Sequence, residues 1–242
     1  MSPTDLYSLT PEAGSLESLE FETKYLVPIS TAPSLLSWVQ TVCSLDRSVP
    51  SGSVHTVYFD TPRLALLGEK IDSDYLKTKV RVRWYSDERG HAGPAVFAEA
   101  KFRVGNRRDK VRTRLAVPIE DVLARRLDDR AWAEWLGPLR QLAPQLPARL
   151  EPTLKLQYVR HRFVDAASRA RITVDERVTI DALNPARLHG RTPATLPWAV
   201  FEYKGVGRDL PARLAPVTRF GARRGSMSKY LACYQLVTRT AL

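Results

Sequence analysis

The sequence has few of the residues that build disulfide frameworks and metal clusters. Its two cysteines, Cys43 and Cys233, lie in apolar segments typical of helices, and neither has a CxxC or Cys/His companion at metal spacing. The four histidines form no ligand pattern, and HExxH, GxxxxGKS and GxxxxGKT are all absent. We therefore expect two buried thiols, and neither a zinc site nor a P-loop.

Long apolar runs are also missing. No stretch of about 18 apolar residues occurs, as a membrane-spanning helix would require, and no basic segment followed by an apolar run opens the chain. We therefore expect neither a spanning helix nor a signal peptide, and a cytoplasmic location. A membrane-protein partner and the oligomeric state stay open at this point.

Acidic residues are scarce relative to basic ones. The chain has 37 Lys and Arg against 26 Asp and Glu, a formal net charge of +11 over 242 residues. Such an excess suits a polyanionic partner. The sign of the charge does not choose between nucleic acid, a nucleotide, an inorganic phosphate chain and an anionic membrane surface.

Most of the chain reads as one ordered α+β domain. Residues 1–17 are polar and aperiodic, which favours a flexible lead-in to a domain over residues 18–242. The period-two segments typical of β-strands are Glu20–Val27, Val54–Asp60, Lys77–Tyr85, Ala95–Val104, Lys110–Val117, Thr153–Val164, Arg171–Ile180 and Ala199–Gly205. They predict an antiparallel sheet of about eight strands, large enough to curl or to close into a barrel.

Three segments have helical spacing instead. The first, 33–45, begins with a proline suited to a first helical turn. The second, 119–136, is a longer amphipathic pattern that ends before a Gly-Pro pair. The third, 226–237, opens with Ser226 or Ser228 as a potential N-cap. We expect these helices to flank the sheet, with the last one as a C-terminal helix.

One predicted strand has an unusual charge pattern. In YLKTKVRVRWY, residues 75–85, the side chains of Lys77, Lys79, Arg81 and Arg83 share one face because successive strand residues point to opposite sides. The other face carries residues that suit a core: Thr78, Val80, Val82 and Trp84. Taken alone, this is the pattern of a half-exposed strand whose basic side chains are solvated.

The other predicted strands share this asymmetry. The residues on their charged faces include Glu99, Lys101, Arg103, Lys110, Arg112, Arg114, Tyr158, Arg160, Arg162, Arg171, Asp175, Glu202 and Lys204. Like charges that face each other across a sheet are destabilising. The sheet tolerates this repulsion if it curls around a ligand with many negative charges while helices cover its apolar outer face. The charged faces would then line the interior of a barrel.

A few carboxylates stand among these cations. They are Glu20, Glu22, Glu99, Asp175 and Glu202. Each could serve only as a salt-bridge partner. As a group they supply the hard oxygen ligands that Mg²⁺ or Mn²⁺ needs beside the phosphates of a substrate. A site for a metal ion and phosphate is the interpretation that uses both signs of charge.

The order of these motifs resembles a known family. EFETKYLV, residues 20–27, is similar to the ExExK strand that opens the CYTH or triphosphate tunnel metalloenzymes. Later segments resemble, in order and spacing, the VTC domain, the polyphosphate-polymerase branch of that superfamily; these segments are VYFDTPRL, KVRVRWY, FAEAKFR, YVRHRF, RITVDE, FEYKG and SMSKY. The resemblance covers roughly residues 18–235, and its ordered series is far more specific than ExExK alone.

The resemblance implies a fold and an activity. The fold is an antiparallel β-barrel, or tunnel, lined by Lys, Arg and a few acids. The activity is that of an ATP-dependent polyphosphate polymerase, a phosphotransferase that moves the γ-phosphoryl group of ATP onto an inorganic polyphosphate chain. The implied cofactor is a divalent metal, Mn²⁺ or Mg²⁺. ATP and polyphosphate are then the expected partners, and nucleic acid is not expected.

The resemblance also implies roles for individual residues. The catalytic set is Arg81, Arg83, Lys101 and Arg160. The substrate-binding set is Lys24, Lys79, Arg103, Lys110, Arg112, Tyr158, Lys204, Ser228 and Lys229. The metal-binding set is Glu202, Glu20, Glu22 and Asp175.

One position departs from the family pattern, because Ser226 stands where a basic residue is common, with Arg223 and Arg224 slightly upstream.

Two alternatives stay open beside the polymerase. The first alternative is a tripolyphosphatase or nucleoside triphosphatase, which the pair Glu20 and Glu22 favours. A non-catalytic binder of polyphosphate or another polyanion is the second alternative; as a nucleic-acid binder it would need aromatics among its basic residues to stack on bases.

Overall fold

A computed structural model of the chain describes residues 21–72, 75–105, 107–207 and 209–240. The predicted lead-in at 1–17 and the candidate ligand Glu20 lie outside the described residues.

The described residues form strands close to the predicted positions. The bounds are β1 Phe21–Pro28, β2 Ser44–Leu45, β3 Ser51–Asp60, β4 Leu76–Ser86, β5 Val96–Val104, β6 Arg107–Leu115, β7 Glu151–Val164, β8 Arg171–Leu183, β9 Ala194–Thr195, β10 Trp198–Gly205 and β11 Arg223–Arg224. Of these eleven strands, β2, β9 and β11 have only two residues each. The eight longer ones correspond to the eight predicted segments.

The helices lie between the strands along the sequence, and the last helix follows the last strand. Their bounds are α1 Ala32–Val42, α2 Ala65–Asp72, α3 Ile119–Ala124, α4 Ala131–Trp135, α5 Gly137–Leu142 and α6 Lys229–Thr238, with 3-10 helices at Ile29–Thr31 and Ala212–Phe220. The α+β class, with antiparallel strand pairing, flanking helices and a C-terminal helix, is therefore confirmed. Both cysteines are buried, as predicted.

The single long helix predicted over 119–136 is wrong. The segment forms α3 and α4 with a turn between them, and the Gly-Pro pair that was expected to end it begins α5. The turn has its own polar contacts: Asp129 accepts a hydrogen bond from the backbone N–H of Ala131 at 2.9 Å, and the indole of Trp132 donates to the carbonyl of Arg126 at 2.8 Å. Asp side chains that bond nearby backbone groups compete with helix continuation, which explains the break.

The described residues divide into two compact units that alternate along the chain. The first unit contains the described residues up to Ser53 together with Tyr158–Val178 and those within Thr195–Met227, and the second contains those within Val54–Gln157, Thr179–Ala194 and those from Ser228 onward. The expectation of one domain over 18–242 stays a prediction.

In the first unit, β1 is the centre of an antiparallel group. It pairs with β10 along its whole length and with β11 near its end, and β10 pairs in turn with the first part of β8. The apolar faces of these strands pack against α1 and the second 3-10 helix, through side chains that include Val27, Leu35, Phe201 and Leu214. This burial leaves the opposite faces of β1 and β10 to polar residues.

In the second unit, β4, β5 and β6 form an antiparallel meander, with β5 between the other two. Val80, Val82 and Trp84 are fully buried on one face and belong to a core that α3, α4 and α5 complete. The core assignment predicted for this face of 75–85 is confirmed. No helix in the described part of the chain is long and apolar enough to cross a membrane.

Candidate active site

The meander of the second unit presents an array of cations on its other face. The strand register sets Lys79, Lys101 and Lys110 opposite one another, and sets Arg81 and Arg112 on either side of Glu99. We call this array the cation ladder; its members are Lys77, Lys79, Arg81, Arg83, Lys101, Arg103, Arg108, Lys110, Arg112 and Arg114. Residues paired across neighbouring strands point to the same face, so these side chains lie together.

Glu99 is the single carboxylate on this face of the described meander. It is 1% exposed. One of its oxygens receives the Nε and Nη2 of Arg81 at 2.7 and 2.6 Å. The other lies 3.5 Å from Lys110 Nζ and 3.4 Å from Arg112 Nε. Glu99, on β5, therefore acts as an internal counterion for cations of both neighbouring strands, β4 and β6.

The environment of Glu99 keeps it ionised. Burial acts to raise its pKa, and the positive charges of Arg81, Arg83 and Lys110 outweigh burial and hold the pKa well below its usual range. The opposite balance applies to Lys110, whose pKa is lowered by burial and only partly restored by Glu99. The ladder thus has a surplus of positive charge that one carboxylate cannot neutralise.

Arg83 and Arg112 show how the ladder is built into the fold. Arg83 is 7% exposed, and its Nε donates to Thr56 Oγ1 of β3 at 3.3 Å. The guanidinium of Arg112 stacks over the ring of Phe97, 3.6 Å from the ring centroid. These contacts hold two long cationic side chains in place, so less conformational entropy is lost when a ligand binds.

The first unit carries a different polar cluster, in which the signs are balanced. The pairing of β1 with β10 sets Glu22 opposite Lys204 and Lys24 opposite Glu202. The Nζ of Lys204 lies 2.7 Å from Glu202 and 3.8 Å from Glu22. The Nζ of Lys24 lies 3.7 Å from Glu202 and forms a close ion pair with Glu22.

Arg160 and Asp175 complete this cluster, which we call the mixed cluster: Glu22, Lys24, Arg160, Asp175, Glu202 and Lys204. Arg160 grips Asp175 with two parallel bonds, from Nε at 2.6 Å and from Nη2 at 2.7 Å. Asp175 is fully buried, and the ring of buried Tyr158 lies 5.4 Å from the Arg160 guanidinium. Burial acts to lower the pKa of Arg160, but attraction to Asp175 leaves it well above the usual value.

The two glutamates of the mixed cluster have lowered pKa values although burial acts against ionisation. Burial acts to raise the pKa of Glu202, but Lys204, Lys24 and Arg160 lower it to about 2. Burial and the negative charge of Glu202 act to raise the pKa of Glu22, and the two lysines still leave it lowered. Burial acts to lower the pKa of Lys24, but attraction to Glu202 and Glu22 leaves this pKa raised.

Two of the predicted metal ligands fit a divalent cation. Glu22 and Glu202 lie on one face of adjacent strands, and Glu202 is close enough to act on the pKa of Glu22. Hard, ionised oxygens of this kind suit Mg²⁺ or Mn²⁺. Asp175 differs, because both of its oxygens accept bonds from Arg160. Among the described residues, which do not include Glu20, no group of three or more potential metal ligands occurs.

Ser228 and Lys229 stand at the start of α6, in the second unit. Ser228 is the N-cap residue and is buried, yet its side chain makes no capping hydrogen bond. Its carbonyl accepts the backbone N–H of Ala232 at 2.9 Å. The Ser-Lys pair thus opens a helix whose first backbone N–H groups favour anions, which agrees with its predicted place in the chain. Arg223 and Arg224, the basic residues upstream, form β11.

The structure places the predicted site residues in two groups. The ladder contains Lys79, Arg81, Arg83, Lys101, Arg103, Lys110 and Arg112. The mixed cluster contains Glu22, Lys24, Arg160, Asp175, Glu202 and Lys204, and Tyr158 lies beside Arg160. Ser228 and Lys229 belong to neither group and stand at the start of α6, and Glu20 is outside the described residues. Sequence reasoning missed Arg108 and Phe97 on the ladder face. Continuing the same alternation by one step along β5 and β6 would have found both.

The comparison with known families agrees with the motif order. A model of the family described as VTC domain matches residues 19–238, and a search of curated protein sequences finds no match. Two solved structures with a similar chain course are candidate adenylate cyclases. The one from Bacillus halodurans is 14% identical, with TM-score 0.47, over 79% of this chain and 82% of that chain. The one from Vibrio parahaemolyticus is 15% identical, also with TM-score 0.47, over 88% and 97%. Since the family model spans nearly all of the described residues, the chain belongs to the VTC domain family.

Proposed function

We propose that the protein is a metal-dependent polyphosphate polymerase, which transfers the γ-phosphoryl group of ATP to the end of an inorganic polyphosphate chain. The observation that supports this most is the cation ladder, where four cations of β4, two of β5 and four of β6 face one carboxylate. Such a surplus is costly without a polyanion to neutralise it. Membership of the VTC domain family supports phosphate chains and nucleoside triphosphates as this polyanion.

Phosphoryl transfer suits a site without a nucleophilic side chain. The reaction depends mainly on positioning the phosphates and on stabilising the charge that develops on their oxygens. In this proposal Arg81, Arg83 and Lys101 hold the triphosphate through the ladder. The arginine forks grip two oxygens each, while the lysines act as point charges along a chain that must move.

The mixed cluster, within the first unit, supplies the candidate metal ligands. Glu22 and Glu202 would hold the divalent metal, which when bound neutralises phosphate oxygens and polarises the bond to be broken. Lys24 and Lys204 lie beside these carboxylates and can pair with phosphate oxygens. Arg160 keeps a fixed orientation through Asp175, so its guanidinium is held in place before substrate arrives. The donors at the start of α6 would contact a phosphate of substrate or product.

A tripolyphosphatase or nucleoside triphosphatase is the second candidate, and Glu22 favours it, since the described part of the ExExK motif keeps this carboxylate beside Lys24. A nucleic-acid binder is less well supported. Trp84 is fully buried and Phe102 packs against the same core, so neither offers a ring for base stacking.

The test is an assay of polymer length. Purified protein is incubated with ATP and Mn²⁺, and the products are resolved on a gel that separates phosphate chains. We expect long chains, and we expect Arg83→Ala to reduce their synthesis by about 100-fold or more, because it removes a buried donor to the triphosphate. Arg83→Lys keeps the positive charge but removes the forked guanidinium, so its rate of synthesis shows how much the two-pronged contact contributes.

The control is Arg89→Ala, which removes an exposed arginine outside the ladder and should leave synthesis unchanged. Circular dichroism verifies that each variant is folded. Release of orthophosphate without any long chain would replace the polymerase with the hydrolase. Full synthesis by folded Arg83→Ala would refute the assignment of the ladder.

A further inference from the structure

The carboxylate of Asp60 is one of the most heavily bonded side chains of the second unit. It lies at the end of β3 and is fully buried. Its Oδ1 accepts the backbone N–H of Thr61 at 2.7 Å and of Leu66 at 2.8 Å, and its Oδ2 accepts the N–H of Leu67 at 2.9 Å. Asp60 thus satisfies donors at the start of α2, as an N-terminal carboxylate does.

A fourth bond to Asp60 comes from a residue 170 positions away. The hydroxyl of Tyr230 in α6 donates to Oδ2 at 3.0 Å. The Tyr230 ring also stacks on Tyr58, with centroids 4.9 Å apart and planes 14° from parallel. A charged acceptor makes this hydrogen bond stronger than a neutral one would.

The bond lies within one residue of the proposed substrate contacts. Tyr230 follows Lys229 directly, and Lys229 follows Ser228, so the three residues form the cap and first turn of α6. Within α6, the buried side chains are Tyr230 and Cys233. The first turn therefore depends on Tyr230 for its attachment, and a ten-residue helix has little stability of its own.

We propose that Asp60 and Tyr230 form a positioning pair, which fixes the first turn of α6 so that Ser228 and Lys229 point their donors at the phosphates of the substrate. This inference rests on the proposed function for the class of substrate. Neither residue of the pair needs to touch substrate: Asp60 acts through Tyr230, and Tyr230 acts through Lys229. The pair would also link α2 to α6, because Asp60 accepts bonds from both helices.

The test uses binding of inorganic tripolyphosphate, measured by calorimetry on the full chain. We expect Lys229→Ala to weaken binding about tenfold and Tyr230→Phe, which removes only the hydroxyl, to weaken it about fivefold. Because Tyr230 acts by positioning Lys229 together with Ser228, the double variant should lose less affinity than the product of the two single losses. Hydrogen exchange should increase at residues 229–232 in Tyr230→Phe and stay unchanged in β4, β5 and β6.

The matched control is Tyr234→Phe, which removes a hydroxyl one turn later on the same helix and should bind as the unaltered protein does. Additive losses in the double variant, or unchanged binding by Tyr230→Phe, would overturn the inference. Asp60→Asn is the second variant, expected to reproduce the loss. If both Tyr230→Phe and Asp60→Asn fail to fold, the pair is purely structural and the inference fails as well.

The outcome is separable from that of the proposed function. Binding of tripolyphosphate does not depend on whether the chain polymerises or hydrolyses. A protein that binds tripolyphosphate through Lys229 but makes no polymer would refute the polymerase and leave the positioning pair intact. If the unaltered protein makes polymer and Tyr230→Phe binds tripolyphosphate normally, the polymerase stands and the positioning pair is refuted.

Discussion

The cation ladder and the mixed cluster arrange their charges in opposite ways. The mixed cluster pairs three cations, Lys24, Arg160 and Lys204, with three carboxylates, so each charge has a partner within the protein. The ladder sets ten cations around Glu99 alone. The mixed cluster is therefore complete as folded, whereas the ladder gains most when an anion arrives from outside.

This difference separates stability from binding. A balanced cluster contributes to the folded state at neutral pH even when no ligand is bound. A surplus of like charge destabilises the folded state, and a bound polyanion reverses that cost. Changes in the two regions should accordingly have different signatures, and the three predictions below use this contrast.

The largest effect is expected from Glu99→Gln. The substitution leaves Arg81, Lys110 and Arg112 without their shared counterion, and the free energy of unfolding should fall by about 3 kcal/mol. Tripolyphosphate should then stabilise the variant more than it stabilises the unaltered protein. Urea unfolding at pH 7, with and without tripolyphosphate, measures both quantities.

Glu120→Gln is the control for that substitution. It makes the same change of charge at an exposed position of α3, where little effect on stability is expected. Equal stability of Glu99→Gln and the unaltered protein would show that the ladder needs no internal counterion.

An intermediate effect is expected from Glu202→Gln, and it should depend on pH. The pKa of Glu202 is lowered from 4.5 to about 2, so its ionised form stabilises the fold above pH 4.5. This contribution, at most about 3 kcal/mol, should decline as the pH falls from 4.5 towards 2. The variant should be less stable at pH 7, and the two stability curves should converge near pH 2.

Urea unfolding across this pH range measures the convergence. Glu134→Gln, in α4 of the other unit, is the control, and its stability should follow that of the unaltered protein at every pH. A constant gap between Glu202→Gln and the unaltered protein from pH 7 to pH 2 would contradict the role of the ionised carboxylate.

The smallest effect is expected from Arg108→Ala, at an exposed end of the ladder. An exposed cation is screened by solvent and contributes little to stability. Tripolyphosphate binding should weaken about twofold to threefold, with no measurable change in unfolding. Arg89→Ala, outside the ladder, should change neither quantity. If Arg108→Ala weakened tripolyphosphate binding as much as Arg83→Ala does, burial would not decide how much each ladder cation contributes to binding.

Much of the ladder could be predicted from the sequence, because alternation along a strand decides which side chains share a face. Lys79, Arg81, Lys101 and Lys110 were placed on charged faces by this rule alone. The rule does not give the register between strands. The position of Glu99 between Arg81 and Arg112 depends on that register, so its role as a shared counterion could not be read from local pattern.

Other parts of the site depend on contacts between distant segments. The bond from Tyr230 to Asp60 joins residues 170 positions apart, and no local periodicity predicts it. The break after α3 was missed for a different reason. The pattern of 119–136 has helical spacing, but Asp129 bonds to the backbone N–H of Ala131, the residue at which α4 begins. Here local side-chain chemistry overrides the hydrophobic period.

The geometry of the ladder has a consequence for how a polymer would move along it. Residues on one face of a strand recur every second position, about 6.8 Å apart, and neighbouring strands lie about 4.8 Å apart. Apart from Glu99 and Phe97, nearly every point of this lattice is a cation. Under the proposed function, a bound phosphate chain would therefore face cations over most of this lattice. It would keep contact with some of them while it shifts along the array, so it need not leave the protein between additions.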